Sequence, residues 1–233
     1  MEFHPKKCSV LSCTRARNPF TFNYTLKGHI LAYETSSKYL GVDLASNLSW
    51  NTHIDRVTKK ANNMLGFLRR NLQTPNRQIK ANAFKTLVRP HVEYCSTVWN
   101  PHTQDQIKKI EAVQRRGARF VCSRYGRVDS VTDMIRELEW ESLESRRIKT
   151  QLTYLYKIIH NHIDIPPDPY IQPGHSRTRS NHSYKFQHIS ASTNSYKFSF
   201  FPHTIPIWNS LPARTAEAPS LLSFKRELAP STF

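Results

Sequence analysis

Apolar residues alternate over short runs up to about residue 48. From Trp50 onward they recur every three or four positions. The early runs are CSVLSCT (8–14), FTFNYTL (20–26), Ile30–Tyr33 and Lys38–Leu44. Short alternation of this kind predicts a few hairpin-like β-strands, too few and too short to stand as a domain. Ile54, Val57, Ala61, Met64, Leu68 and Leu72 then mark the stripe of an amphipathic helix over 51–72. Thr74 and Pro75 read as N-cap and first helical position of a second helix carrying Ile79, Ala83, Phe84, Leu87 and Val88. That helix is expected to stop near Arg89, because Pro90 disfavours helical geometry in the residue before it. If helical, HVEYCSTVW places Val92, Cys95, Val98 and Trp99 on one side.

Thr103 with Gln106 resembles a capping box ahead of a helix over 104–122, which buries Ile107, Ile110, Val113, Gly117 and Phe120 or Val121. Ser130 with Asp133 opens a short stripe of Val131, Met134, Ile135 and Leu138. A helix over 141–161 follows on Leu143, Ile148, Leu152, Leu155, Tyr156 and Ile159, exposing Arg146, Arg147 and Lys149. Ile165-Pro166-Pro167 ends the helical pattern, and 163–183 reads as a linker or basic arm. Two short aromatic stretches come next. Pro219 and Ser220 then lead into a short helix with Leu222, Phe224 and Leu228. The expected class is α+β, mainly α. It comprises a β-hairpin region over 1–48, a helical bundle over 49–162, and an irregular basic tail over 163–233. Trp50, Leu68, Phe84, Leu87, Trp99, Phe120, Trp140, Leu152 and Trp208 read as packing residues.

Charge changes this picture. Lys and Arg total 34 against 17 acidic residues, a net charge of +17. Such an excess concentrates phosphates and is common in nucleic-acid binders. Nothing in the sequence reaches twenty apolar residues, and MEFHPKKCSV has no apolar core, so neither a membrane span nor a signal peptide is expected. The expected location is the nucleus or cytoplasm. Cys8, Cys13, Cys95 and Cys122 fit no compact zinc pattern and read as reduced thiols.

Catalytic constellations are not legible. Glu137, Glu139, Glu141 and Glu144 read as solvated helix faces that offset nearby arginines, and Asp43 and Asp55 stand alone. Nothing resembles a two-metal carboxylate site. His160 and His162 are two apart and do not share a helix face; with Asp164 they are a weak metal candidate. The sequence therefore assigns no catalytic residue and no metal ligand. The basic side is stronger. Lys59, Lys60, Arg69, Arg70, Lys108, Lys109, Arg115, Arg116 and Arg119 fall mostly off the apolar stripes and are expected to contact a nucleic-acid backbone. The competing reading is that they only keep a bundle in solution. Gly117 inside a helix implies a close neighbour. Tyr184, Phe186, Tyr196 and Phe198 read as base-stacking rings or, more simply, as core or edge-strand residues.

A string of motifs narrows the reading. KYLGVDLASNLSWNTHI (38–54) and VTKKANNMLGFLRRNL (57–72) are followed by IKANAFKTLVRPHVEYCSTVWNP (79–101) and IEAVQRRGARFV (110–121). SVTDMIRELEWESLESRR (130–147), LYKI (155–158) and FFPHTIPIWNSLP (200–212) complete it. Nearly the whole chain resembles the C-terminal part of the reverse transcriptase of non-LTR (LINE-type, jockey-like) retrotransposons. The resemblance implies that EFHPKKC (2–8) follows the palm's catalytic motif, with Lys6 or Lys7 on the incoming-nucleotide side. Lys38, Tyr39, Leu40 and Gly41 would be a primer-grip-like hairpin. The helices to about 160 would be a thumb that clamps template–primer duplex, so the implied partners are RNA, DNA or an RNA–DNA duplex. No YADD- or FADD-like aspartate pair is present, and the fingers, most of the palm and the endonuclease are missing. The chain is therefore expected to bind but not polymerise alone, and to need no cofactor of its own, Mg2+ belonging to a complete polymerase. Met1 falls inside what would be the palm, so the expectation is a truncated element copy or a gene model drawn from one. Two other readings stay open: part of a complete active reverse transcriptase, or a purely structural or non-functional basic helical protein.

Overall fold

The structure is a computed structural model that describes residues 3–14, 16–167, 170–174, 182–231 and 233. It is a mixed α+β fold, with small sheets followed by a larger helical region. Two compact units divide at Val57 and Thr58, inside the first long helix.

Among its described residues the first unit holds six strands: β1 (Ser9–Leu11), β2 (Thr25–Leu26), β3 (His29–Ile30), β4 (Ala32–Glu34), β5 (Ser36–Tyr39) and β6 (Val42–Ala45). They form three two-stranded sheets. β1 and β4 run parallel, with Ser9 opposite Ala32. β2 pairs antiparallel with β3, and β5 with β6, Tyr39 facing Val42. The run Lys38–Leu44 is therefore not one strand. It bends at Leu40 (φ 45°) and Gly41 (φ 86°), and Lys27 (φ 51°) and Gly28 (φ 78°) turn the other hairpin. Positive φ at both central residues matches the twist of the flanking strands, and glycine at the second position lowers the steric cost.

Helix α1 (Asn51–Asn71) buries Ile54, Val57, Ala61, Leu65 and Leu68. In the second unit, α2 (Arg77–Ala83) starts two residues later than Thr74-Pro75 suggests. Asn76 Oδ1 accepts from the backbone N–H of Gln78 (2.9 Å) and Ile79 (3.2 Å), satisfying two donors that Thr74 does not reach. The chain also does not stop before Pro90. It widens into a π-helical turn over 84–88, closed by Arg89 N–H to Phe84 O (3.0 Å), and re-enters α3 (Pro90–Glu93). The wider turn absorbs a residue that has no N–H to give, and Arg89 stays helical at φ −58°, ψ −38°. Ile79 and Leu87 face outward, 48% and 46% exposed, while Phe84 and Val88 are buried. Leu87 is thus not a packing residue. In the segment after α3, Trp99 is buried and Val98 half exposed.

Helix α4 (Gln104–Cys122) buries Ile107, Ile110, Val113, Gly117, Phe120 and Val121. Thr103 sits at its N-cap, but its side chain makes no capping bond. A β-carbon on Gly117 would stand 2.3 Å from Phe84 Cε2, so the bare backbone is what admits that ring. Phe84 in turn stacks on Trp140 (centroids 4.7 Å apart, 15° between planes). Helix α5 (Val131–Glu137) is capped by Ser130, whose Oγ accepts from Asp133 N–H at 3.3 Å.

The expected irregular tail carries short helices between residues 194 and 228. After α6 (Leu143–Ile159) come α7 (Asn194–Lys197), α8 (Phe200–Asn209), α9 (Ala213–Ala216) and α10 (Leu221–Leu228). Pro202 lies in the first turn of α8, where its missing N–H costs no bond, and Pro206 sits one turn on. The expected linker lies partly outside the described residues. Leu152, Leu155, Tyr156 and Ile158 of α6 form one core with Trp208, Leu211, Phe224 and Leu228. Each such side chain contributes roughly 1.5–3 kcal/mol by leaving water. Tyr156 stacks on Phe224 and donates its hydroxyl to Ala218 O (2.8 Å). Trp208 Nε1 donates to Tyr184 O at 2.8 Å. On α10, Phe224 and Leu228 are buried, but Leu222 faces out.

Candidate functional site

Geometry on the two long helices follows from their period. On α1, Lys59, Asn62, Gly66 and Arg69 with Arg70 fall on one side at three- and four-residue steps. Lys59 to Arg70 covers about 16 Å of helix rise. On α4, Lys108, Arg115 and Arg119 share the side opposite the buried stripe, and Lys109 and Arg116, seven apart, share a flank. Arg116 Nη1 donates to Asn62 Oδ1 (3.2 Å), which sets that flank beside the α1 row. Arg69 places its guanidinium 4.9 Å from the centroid of the Tyr125 ring, just past α4. All nine cations named by the sequence are exposed apart from Arg119, which is half-buried.

Ion pairing falls elsewhere. Glu137 is bridged by Arg77 (3.0 Å) and Arg124 (2.5 Å), whose hydrogen bonds hold its carboxyl below the usual carboxylate range. Arg146 pairs with Glu93, and Lys149 with Glu141 at 2.5 Å. Among the described residues no acidic side chain pairs with Lys59, Lys60, Arg69, Arg70, Lys108, Arg115, Arg116 or Arg119. Their charge is left to solvent.

Arg147 departs from its expected exposure. It is 1% exposed, and its Nε donates to Asn100 Oδ1 at 3.3 Å. Among the described residues Nη1 and Nη2 find no hydrogen-bond partner, and burial holds the guanidinium below its ordinary pKa. Helix α6 packs against α4, α8 and α10, so its buried face is wider than one apolar stripe. Glu111 of α4 is also pulled inside. Burial pushes its carboxyl up, and Oε1 accepts from Glu144 N–H at 2.8 Å.

In the first unit, Lys6 and Lys7 are exposed on a short 3-10 turn (Pro5–Lys7). Lys38 and Tyr39 end β5, and Leu40 and Gly41 make the turn, with Tyr39 and Leu40 66% and 74% exposed. A cluster that the sequence did not flag stands behind this turn. Arg56 donates from Nη2 to Gly41 O (2.7 Å) and from Nε to Asp43 Oδ2 (2.5 Å). His53 Nδ1 accepts from Asp43 N–H at 3.2 Å and lies 3.2 Å from Arg56 Nη2. Asp43 Oδ2 lies 3.4 Å from the same nitrogen. Burial first, then Arg56, pushes the imidazole below its ordinary pKa. The turn's carbonyl is thereby tied to α1.

Metal chemistry has no assembled donor set. Among the described residues no three His, Cys, Asp or Glu side chains are grouped to hold an ion. The rings of His160 and His162 are 6.4 Å apart, both beside Tyr156. The four cysteines are free thiols. Of the aromatic residues weighed for stacking, Phe186 packs against the α6 core and Phe198 stacks on His102, while Tyr184 and Tyr196 stay 40% and 49% exposed. No helix of the described residues is long and apolar enough to cross a membrane. Comparison with family models, curated proteins and solved structures returned no match.

Proposed function

We propose that this chain is the holding part of a non-LTR retrotransposon reverse transcriptase: it grips the phosphate backbone of RNA, DNA or an RNA–DNA duplex and does not polymerise alone. The observation that carries the reading is that Lys59, Lys60, Arg69 and Arg70 on α1, and Lys108, Arg115, Arg116 and Arg119 on α4, pair with no carboxylate among the described residues. A bundle needing charge only for solubility would gain as much from mixed signs, as the Glu137 and Glu141 clusters do. Two adjoining rows of one sign instead match a polyanion, whose phosphates accept charge-assisted bonds without regard to sequence.

The resemblance supplies the second support. Its thumb-like segment is the one that carries these rows, and its primer-grip-like residues Lys38–Gly41 lie on a hairpin whose turn Arg56 anchors. Lys6 and Lys7 are assigned to the incoming-nucleotide side by that resemblance alone. Catalysis would need an aspartate pair and Mg2+ from the rest of a polymerase.

Filter binding to an RNA–DNA duplex over a salt series tests the proposal. The expected result is an affinity that falls linearly on a log–log plot, with a slope of about −0.9 per neutralised phosphate. An affinity indifferent to salt would sink it.

A further inference from the structure

Residues 170–174 lie against 185–189 through an isolated antiparallel bridge, Pro173 with Phe186. Gly174 N–H donates to Lys185 O (2.8 Å) and Gln187 N–H to Gln172 O (2.9 Å). Together with α7 and the first turn of α8, this bridge encloses an open cavity of about 460 Å3. Small-molecule sites run roughly 300–1,000 Å3, so one planar heterocycle fits.

The lining is chemically specific. Tyr170 and Phe201 stack with 6° between their planes and centroids 4.7 Å apart. Tyr170 and Tyr196 both line the cavity and are 50% and 49% exposed. Ring surface left at a cavity contributes little to the core, yet it is the surface on which a flat ring stacks. The amide of Gln187 and the imidazole of His188, both exposed on the lining, can pair with the polar edge of such a ring.

We propose that this cavity takes an unpaired nucleobase of a polynucleotide, in contact with both the Tyr170 and the Tyr196 rings that line it. The proposal rests on the reading that the chain holds nucleic acid, and it adds a specificity that phosphate contacts lack. A paired base has both faces covered and cannot enter. An unpaired one can, and every base has a face to offer. The site would therefore distinguish a single-stranded extension from a blunt duplex.

The test compares full-length chain binding to a blunt RNA–DNA duplex and to the same duplex with a single-stranded extension whose first base is fluorescent aminopurine. The expected result is tighter binding of the extended duplex, with quenched aminopurine emission. Tyr170→Ala and Tyr196→Ala should each weaken binding of the extended form, on the order of tenfold, and relieve the quenching. Tyr196→Phe should retain both, and blunt-duplex affinity should stay unchanged throughout. Circular dichroism checks that the variants stay folded. Equal binding of the two duplexes, or folded alanine variants that keep the preference, overturns the base site alone. Failure of the wild-type chain to bind either duplex overturns the phosphate-grip reading and this one together. A free aminopurine nucleoside monophosphate binding as tightly as the extension would assign the cavity to a nucleotide and overturn the polynucleotide form.

Discussion

Gly117→Ala adds one methyl group at the place where α4 meets Phe84. The new carbon would lie 2.3 Å from Phe84 Cε2 and 2.7 Å from Cδ2 and Cζ, well inside contact distance. The ring cannot retreat freely, since Phe84 is 1% exposed and stacked on Trp140. Overpacking of this kind costs about 1–3 kcal/mol, and an overlap on three ring atoms belongs in the upper half of that range. Removing glycine from a helix interior returns about 0.8–1 kcal/mol. The net expectation is a loss of about 1–2 kcal/mol. Gly66→Ala on α1 is the control. There a β-carbon meets nothing closer than Arg70 Nη1 at 3.5 Å, the end of a flexible side chain. The same propensity term then acts unopposed and should stabilise by about 0.5–1 kcal/mol. Thermal melts followed by tryptophan fluorescence would show opposite shifts, about 2–4 °C per kcal/mol for a chain of this size. Phe84→Leu in the Gly117→Ala background should shrink the penalty, because leucine vacates the ring's far edge; that coupling is read from a double-mutant cycle. If Gly117→Ala stabilises as Gly66→Ala does, the close approach is wrong.

Replacing Lys59 and Arg70 together by glutamine should flatten the salt dependence of duplex binding by about two units of slope. Arg136→Gln, whose guanidinium already pairs with Asp133 at 2.8 Å, should leave the slope unchanged; equal effects of the two changes would refute the assignment. Burial lowers the His53 pKa from 6.5, so below that pH the unfolded chain takes up protons that the folded chain refuses. Stability should therefore fall as pH drops from about 6.5 to the lowered folded value. His53→Asn, which keeps an acceptor near Asp43 N–H, should make that fall shallower, and an unchanged urea-denaturation profile between neutral pH and pH about 5 would refute it. Arg147→Met should leave the melting temperature equal or higher, since a buried guanidinium with two unpartnered nitrogens gives way to an apolar chain of similar length. A marked drop would mean that the charge is needed against Glu111.

The helices and the cationic rows were legible because both depend on local period. An apolar stripe every three or four residues fixes which side of α1 and α4 is buried, and the lysines and arginines fall on what remains. Gly117 was legible for the same reason, as an unusual residue on a buried stripe. The failures are all non-local. Arg147 lies inside because three helices surround α6, which no single stripe records. The π turn at 84–88 accommodates Pro90, where the local rule predicts a stop. Residues 194–228 look aromatic and broken, yet they are helical where Trp208 and Phe224 find the α6 core. The Arg56–Asp43–His53 cluster joins a turn to a helix across 10–15 residues, and neither element alone announces it.

The partners of α6 carry a further consequence, for the order of assembly during synthesis. Tyr156 meets Ala218 at a separation of 62 residues, and Lys149 caps the far end of α10 by donating to Ala229 O, 80 residues on. A ribosome delivering roughly 5–20 residues per second completes α6 several seconds before those partners emerge. Throughout that interval Leu152, Leu155, Tyr156 and Ile158 have no apolar surface from α8 or α10 to rest on. The nascent chain thus presents a hydrophobic helix face, and it closes that face only when α10 is made.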